Sequence, residues 1–134
     1  MFYAWDIVVL AGTTEDNPKV QTLKLSKGVI TRCDIKFPAG CHGHVKVRLH
    51  FHEFQLVPLS RGEWVTGNDE TCETEAYYEM MGTPYELKFI GACSCCEYDH
   101  VITVRVQVLP KAIASWIQVI EALNKLLRRL GVVV

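Results

Sequence analysis

The sequence predicts an all-β protein, an antiparallel β-sandwich or jelly-roll-like fold of about eight strands followed by one C-terminal amphipathic α-helix. Three observations predict it. Apolar and polar residues alternate through residues 29–37, 45–51 and 101–109, the pattern of strands with one buried and one wet face. Clusters of Gly, Pro, Asn, Asp and Ser recur at the roughly 8–12-residue spacing of sandwiches and barrels. After Pro110 the apolar period becomes helical. Ile113, Ile120 and Leu127 fall at one heptad position, and Trp116, Leu123 and Leu130 at another.

Residues 2–10 form the first strand, with Tyr3, Trp5, Ile7 and Val9 on one face. A polar loop, 12–18, ends at Asn17-Pro18, and a second strand covers 20–26. Lys27-Gly28 makes a tight connection in which Gly28 can supply a positive φ. The third strand, 29–37, puts Val29, Thr31, Cys33, Ile35 and Phe37 on the core side and Arg32, Asp34 and Lys36 on the other. Pro38-Ala39-Gly40 ends it. The fourth strand turns Val45, Val47, Leu49 and Phe51 inward and leaves His44, Lys46, Arg48, His50 and His52 outward. A turn at His52-Glu53 leads to a fifth strand, 54–59.

Residues 60–64 and 66–71 are turn-rich. A short strand follows around 76–81, then strands at 85–92 and 101–109 separated by the loop CSCCEYD. Pro110 stops the last strand and opens a helix over 111–130, ended by Gly131. Ile117, Val119 and Leu126 widen its apolar stripe beyond a two-stranded seam. Such a stripe either lies flat on its own sandwich or joins several subunits. The division is therefore a β-sandwich domain over 1–110 and an assembly or packing helix over 111–131.

At 134 residues the chain fits one domain and needs no metal or disulfide to fold. A net charge of −1 argues against a general nucleic-acid binder, which needs a basic surface to release counterions. The apolar start, MFYAWDIVVLAG, is too short for a membrane span, carries Asp6 and lacks the basic residues of an export signal. The expected compartment is the cytoplasm, before any assembly into a particle. The six cysteines fit free thiols there, with Cys33 as a small core hydrophobe. A bridge within 93–96, or to Cys72, stays open.

Two clusters could carry chemistry. His44, His50 and His52 lie on one strand face at even spacing, and imidazoles at i, i+2 on a strand can share a transition metal. His50-Phe51-His52-Glu53 resembles the metal motif of cupins, themselves jelly rolls. It departs from that motif because His44 stands where a glycine is wanted, and Leu56 and Val57 where a glutamate is wanted. The plain alternative is a solvated, histidine-rich strand face. The second cluster is Cys93, Cys95 and Cys96 with His100. Cys93 and Cys96 have C-x2-C spacing, but no second pair answers them. Here the plain alternative is a hairpin loop of small residues. No nucleophile elbow, phosphate loop or dinucleotide fingerprint is present. The acidic residues Asp69, Glu70, Glu73 and Glu75 read as a solvated loop or a calcium-accepting one.

The segments LKLSKGVITRCDIKFPAGCHGHVKVRL, EFQLVPLSRGEWVTGNDET, PYELKF and DHVITVRVQVLPK resemble small β-sandwich structural proteins of tailed phages and related viruses, over about residues 18–111. The resemblance lies in strands and turns, not in chemical signatures. It implies a non-enzymatic virion component, such as a capsid decoration or accessory protein, that works as an oligomer. The expected function is thus structural self-association through Ile113, Trp116, Ile117, Ile120, Leu123, Leu127 and Leu130. The partners are further copies and other virion proteins, with no nucleic acid and no membrane span. No cofactor is required. One alternative is a cupin-like metal protein using His44, His50 and His52. The other is a carbohydrate-binding module using Trp64, Tyr77 and Tyr78.

Overall fold

The computed structural model describes residues 1–131. In order, the elements are β1 (Phe2–Val9), β2 (Lys19–Lys24), β3 (Val29–Phe37), β4 (Lys46–Phe51), β5 (Phe54–Val57), β6 (Val65–Thr66), β7 (Glu70–Glu79), β8 (Glu86–Ala92), β9 (His100–Leu109) and α1 (Lys111–Arg129). One sheet runs β1-β9-β3-β7, and the other runs β2-β8-β4-β5 with β6 added on β4. Every pairing is antiparallel. With the two-residue β6 set aside, the remaining strands cross between the sheets everywhere except at the β4–β5 hairpin. That is the strand order of a jelly roll.

The core lies between the sheets, where the alternating rows meet. Ile102, Val104, Val106 and Val108 of β9 face Leu49 of β4 and Leu87 and Phe89 of β8, and all are fully buried. β9 is flanked by β1 and β3 along most of its length, so its inner row reads as an unbroken valine and isoleucine series. Cys33 is buried as the sequence predicts. Burial pushes its thiol up to about 12, which makes it inert as a nucleophile. Gly28 matters for space as well as for its φ of 158°. A Cβ there would stand 2.6 Å from the Leu109 carbonyl oxygen.

Two strand readings are corrected. In β3 a bulge between Ile30 and Arg32 shifts the register against both neighbours. One extra residue turns everything before it to the opposite face. Ile30 therefore enters the core opposite Val108. Thr31 does not, and its hydroxyl donates to the Gln107 carbonyl at 3.4 Å. Second, the strand expected around 76–81 begins six residues earlier and ends two residues earlier, while 60–64 and 67–69 keep their turns. β7 starts at Glu70, ten residues long, and pairs only with β3. Glu73 and Glu75 sit on the wet side of an edge strand, with Glu73 beside Arg32 at 3.2 Å. Charge on an exposed edge also discourages an extra strand from adding there.

Gln55 organises the loop after β5. Its Nε2 donates to the carbonyls of Pro58 (2.7 Å), Ser60 (3.0 Å) and Glu63 (3.1 Å), and Gly62 N donates to its Oε1 at 3.1 Å. A buried amide so used stands in for a strand partner. The substitution Gln55→Ala is expected to cost about 1–3 kcal/mol, because the backbone groups it served lose their partner. A urea denaturation curve reads this directly, and an unchanged midpoint would contradict the role given to Gln55.

The helix behaves as the caps predict. Pro110 opens it, and Gly131, at φ 78°, follows its end, with its N–H donating to the Arg128 carbonyl at 3.1 Å. It meets its own sandwich only by its first turns. Ala114 is its one buried residue. Tyr77 Oη lies 3.4 Å from Ser115 Oγ, and Lys111 Nζ lies 3.0 Å from Glu79 Oε1. No helix among the described residues is long and apolar enough to cross a membrane.

Candidate functional site

The feature that stands out is the outer face of α1. Ala114, Ile117, Gln118 and Glu121 line the groove against the first sheet, so the two heptad rows point away from it, while Ile117 sits at the groove's edge. Ile113 is 51% exposed, Trp116 68%, Ile120 53%, Leu123 52% and Leu130 70%. Ile117, Val119 and Leu126 are exposed beside them, and Leu127 is half-buried. The helix does not lay its stripe flat on its own sandwich. The reason is local: the face that meets the sheet is the one carrying small Ala114 and Ser115, which allow close approach. Lys125, Arg128 and Arg129 stand off the apolar rows, and the last two complement the carbonyl end of the helix.

The structure does not bring the three outward histidines together. His44 precedes β4 and lines a cleft with Cys96 and His100. His50 lies on the outer face of the second sheet, beside a different cleft shared with Arg48, Glu53 and Arg61. His52 is exposed in the β4–β5 turn at φ 53°, its ring edge-on to Phe51 at 4.3 Å. The signal missed in the sequence was the hairpin turn: alternation along one strand stops where the chain reverses, so His52 leaves the row.

His50 is also electrostatically unsuited to a cation. Burial, then Arg48 and Lys88, lowers its pKa from 6.5, and its Nε2 is buried without a hydrogen-bond partner. A depressed histidine favours the neutral form in the folded state. Its contribution to stability is therefore complete above 6.5 and is lost as pH falls below it, where the unfolded chain takes the proton first. Replacing His50 with Gln is expected to flatten this acid-side loss. Urea midpoints measured on both sides of pH 6.5 test it, and parallel curves for the two proteins would remove the assignment.

The three aromatic residues Trp64, Tyr77 and Tyr78 differ in their surroundings. Arg48 covers Trp64 at 4.0 Å from the ring centroid, and Tyr78 stacks on Phe54 at 5.3 Å. Tyr77 alone of the three is exposed. The acidic segment forms no cation cage. Among the described residues, the only group of three His, Cys, Asp or Glu side chains with ligand atoms within 4.8 Å of one another is Cys93, Cys96 and His100. Cys93 and Cys96 are joined as a disulfide, with Cα atoms 5.5 Å apart, while Cys33, Cys41, Cys72 and Cys95 are free. Comparison with protein-family models, curated proteins and solved structures finds no match to the chain.

Proposed function

We propose that this chain is a non-enzymatic structural protein that self-associates through α1, an assembly component of the virion-accessory kind. The observation that carries this reading is the exposed heptad stripe on a helix that leaves its own sandwich. Eight large apolar side chains of α1 stand in water. Burying one fully contributes roughly 1.5–3 kcal/mol, and from about half exposure the eight together contribute on the order of 10 kcal/mol per helix. A face of that size needs a cover.

A second copy is the cover that fits best. Apolar residues flank the two heptad rows on both sides, through Ile117 on one and Val119 and Leu126 on the other. That width matches a bundle of more than two helices rather than a two-stranded seam. Gln118, Glu121, Lys125 and Arg128 stay on the outside of such a bundle. The jelly-roll order adds an analogy with capsid domains, which supports fold and not activity. In this reading the chain folds in the cytoplasm, then joins a particle whose partners are copies of itself and other particle proteins.

Sedimentation velocity on the full chain over a range of concentrations tests the reading. The expected mass is a multiple of the chain mass. A monomer at every concentration would sink it. Flotation of a monomeric chain with anionic lipid vesicles would move the helix to a membrane surface instead.

A further inference from the structure

We infer that Cys93, Cys96 and His100 form a binding site for a zinc-class cation when the two thiols are reduced. The inference does not depend on the assembly reading, because the site lies in the β8–β9 loop and α1 takes no part in it. The ligand types come first. Two thiolates in C-x2-C spacing plus one imidazole are the donor set of Cys- and His-based zinc sites, and soft sulfur excludes calcium and magnesium. The placement comes second. One sulfur of each cysteine and a ring nitrogen of His100 all lie within 4.8 Å of one another. A disulfide alone has no need of an imidazole at that range.

The scaffold holds the three donors from three directions. Cys93 immediately follows β8 and is fully buried, with its N–H donating to the Thr13 carbonyl at 2.8 Å and its carbonyl accepting from Gly12 N at 3.1 Å. Cys96 returns to it through a turn, its N–H reaching the Cys93 carbonyl at 3.4 Å. His100 is the first residue of β9 and is held in register opposite Val9. Asp99, just before it, accepts from Ala11 N at 2.7 Å. Two strand ends and one turn thus converge, which is how a short knuckle presents ligands.

Cys96 and His100 also line a cleft of about 580 Å³ together with Cys41, His42 and His44. The loop that carries the last three is itself held, because Asn68 Oδ1 accepts from Gly40 N and His42 N, both at 3.1 Å. These further nitrogen and sulfur donors share the cleft but lie outside the group of three. Binding involves no redox step. Each thiol gives up its proton to solvent, two sulfur–metal bonds form, and the neutral imidazole donates its lone pair. Metal binding is preceded by reduction of the disulfide: a dithiol or phosphine reductant delivers two electrons and two protons to give the two thiols, so the disulfide and the metal complex are alternative states of one pair.

The test uses the full chain after reduction with a non-thiol phosphine. Zn²⁺ is titrated against a chromophoric chelator, and Co²⁺ is used as the spectroscopic probe. The expected result is one equivalent bound, with thiolate-to-cobalt charge-transfer absorption. Zinc should shield Cys96 from alkylation relative to the reduced, zinc-free chain but leave Cys95, exposed in the same loop, reactive. The substitutions Cys96→Ser and His100→Ala should each weaken binding by more than the roughly 10–100-fold that loss of a supporting residue costs. His50→Ala and His52→Ala should change nothing. Circular dichroism checks that each variant is folded, and the alkylation pattern of the unsubstituted chain decides the case if one is not. No bound zinc, a cobalt spectrum without the thiolate band, or alkylation of Cys96 as fast with zinc as without it would overturn the site.

Discussion

A full-length chain carrying Ile120→Glu and Leu123→Glu is expected to sediment as a monomer while keeping the β-sheet spectrum of the parent. Both residues lie on the two heptad rows, are about half exposed, and are turned away from the first sheet. They contribute nothing to the jelly-roll core, so folding is left alone. In an assembled bundle the same positions meet their counterparts on other copies. Each glutamate would then be buried without a partner, at a cost of several kcal/mol per charge. The effect on mass should therefore be all-or-none, with little change in the urea midpoint of the sandwich. The same multiple mass for variant and parent would place the contact elsewhere, for example on the edge strands β1 or β7. A shorter chain ending at Pro110 offers the cruder version of the same comparison.

The second large effect belongs to the core. Phe89→Ala is expected to destabilise the fold by about 3–5 kcal/mol, a large part of the roughly 5–15 kcal/mol that holds a domain together. Phe89 is fully buried in β8, paired to Gln21 on one side and Leu49 on the other. Its ring also covers Gly91, where an added Cβ would come within 2.8 Å of the ring edge. Truncation thus opens a cavity and uncovers the one residue in that row with no side chain to fill it. Urea denaturation of the two proteins checks this. A shift of under about 1 kcal/mol, the scale of an ordinary surface change, would mean that the sheets close over the gap.

Much of the fold was legible because its strands are half-buried. β3, β4, β8 and β9 each carry a clean period of two, and β9 is found almost to the residue. β7 was not legible. Its inner row, Cys72, Thr74 and Tyr78, is only half-buried, and its outer row is acidic. Without a strongly apolar row the pattern resembles a loop. The β3 bulge was equally hidden, since an extra residue between Ile30 and Arg32 is set by the pairing to β7 and β9 and not by local composition. Among the candidate sites, the helix stripe was readable from heptad spacing alone. The metal candidate moved. His44, His50 and His52 look adjacent in sequence, but the hairpin and the sheet face send them to three places. Cys93, Cys96 and His100 look like a poor pattern, and the β8–β9 loop draws them together.

What the sequence determined by itself was the list of strands with strong alternation, the switch to a helix at Pro110 and the width of the apolar stripe. These are periodic properties, and side-chain period is fixed by backbone geometry within one element. What only the tertiary structure decided was the jelly-roll strand order, the direction in which α1 shows its stripe and which donors share a site. Those depend on contacts between residues far apart in the chain, as between His100 of β9 and the 38–45 loop, and no local pattern encodes them.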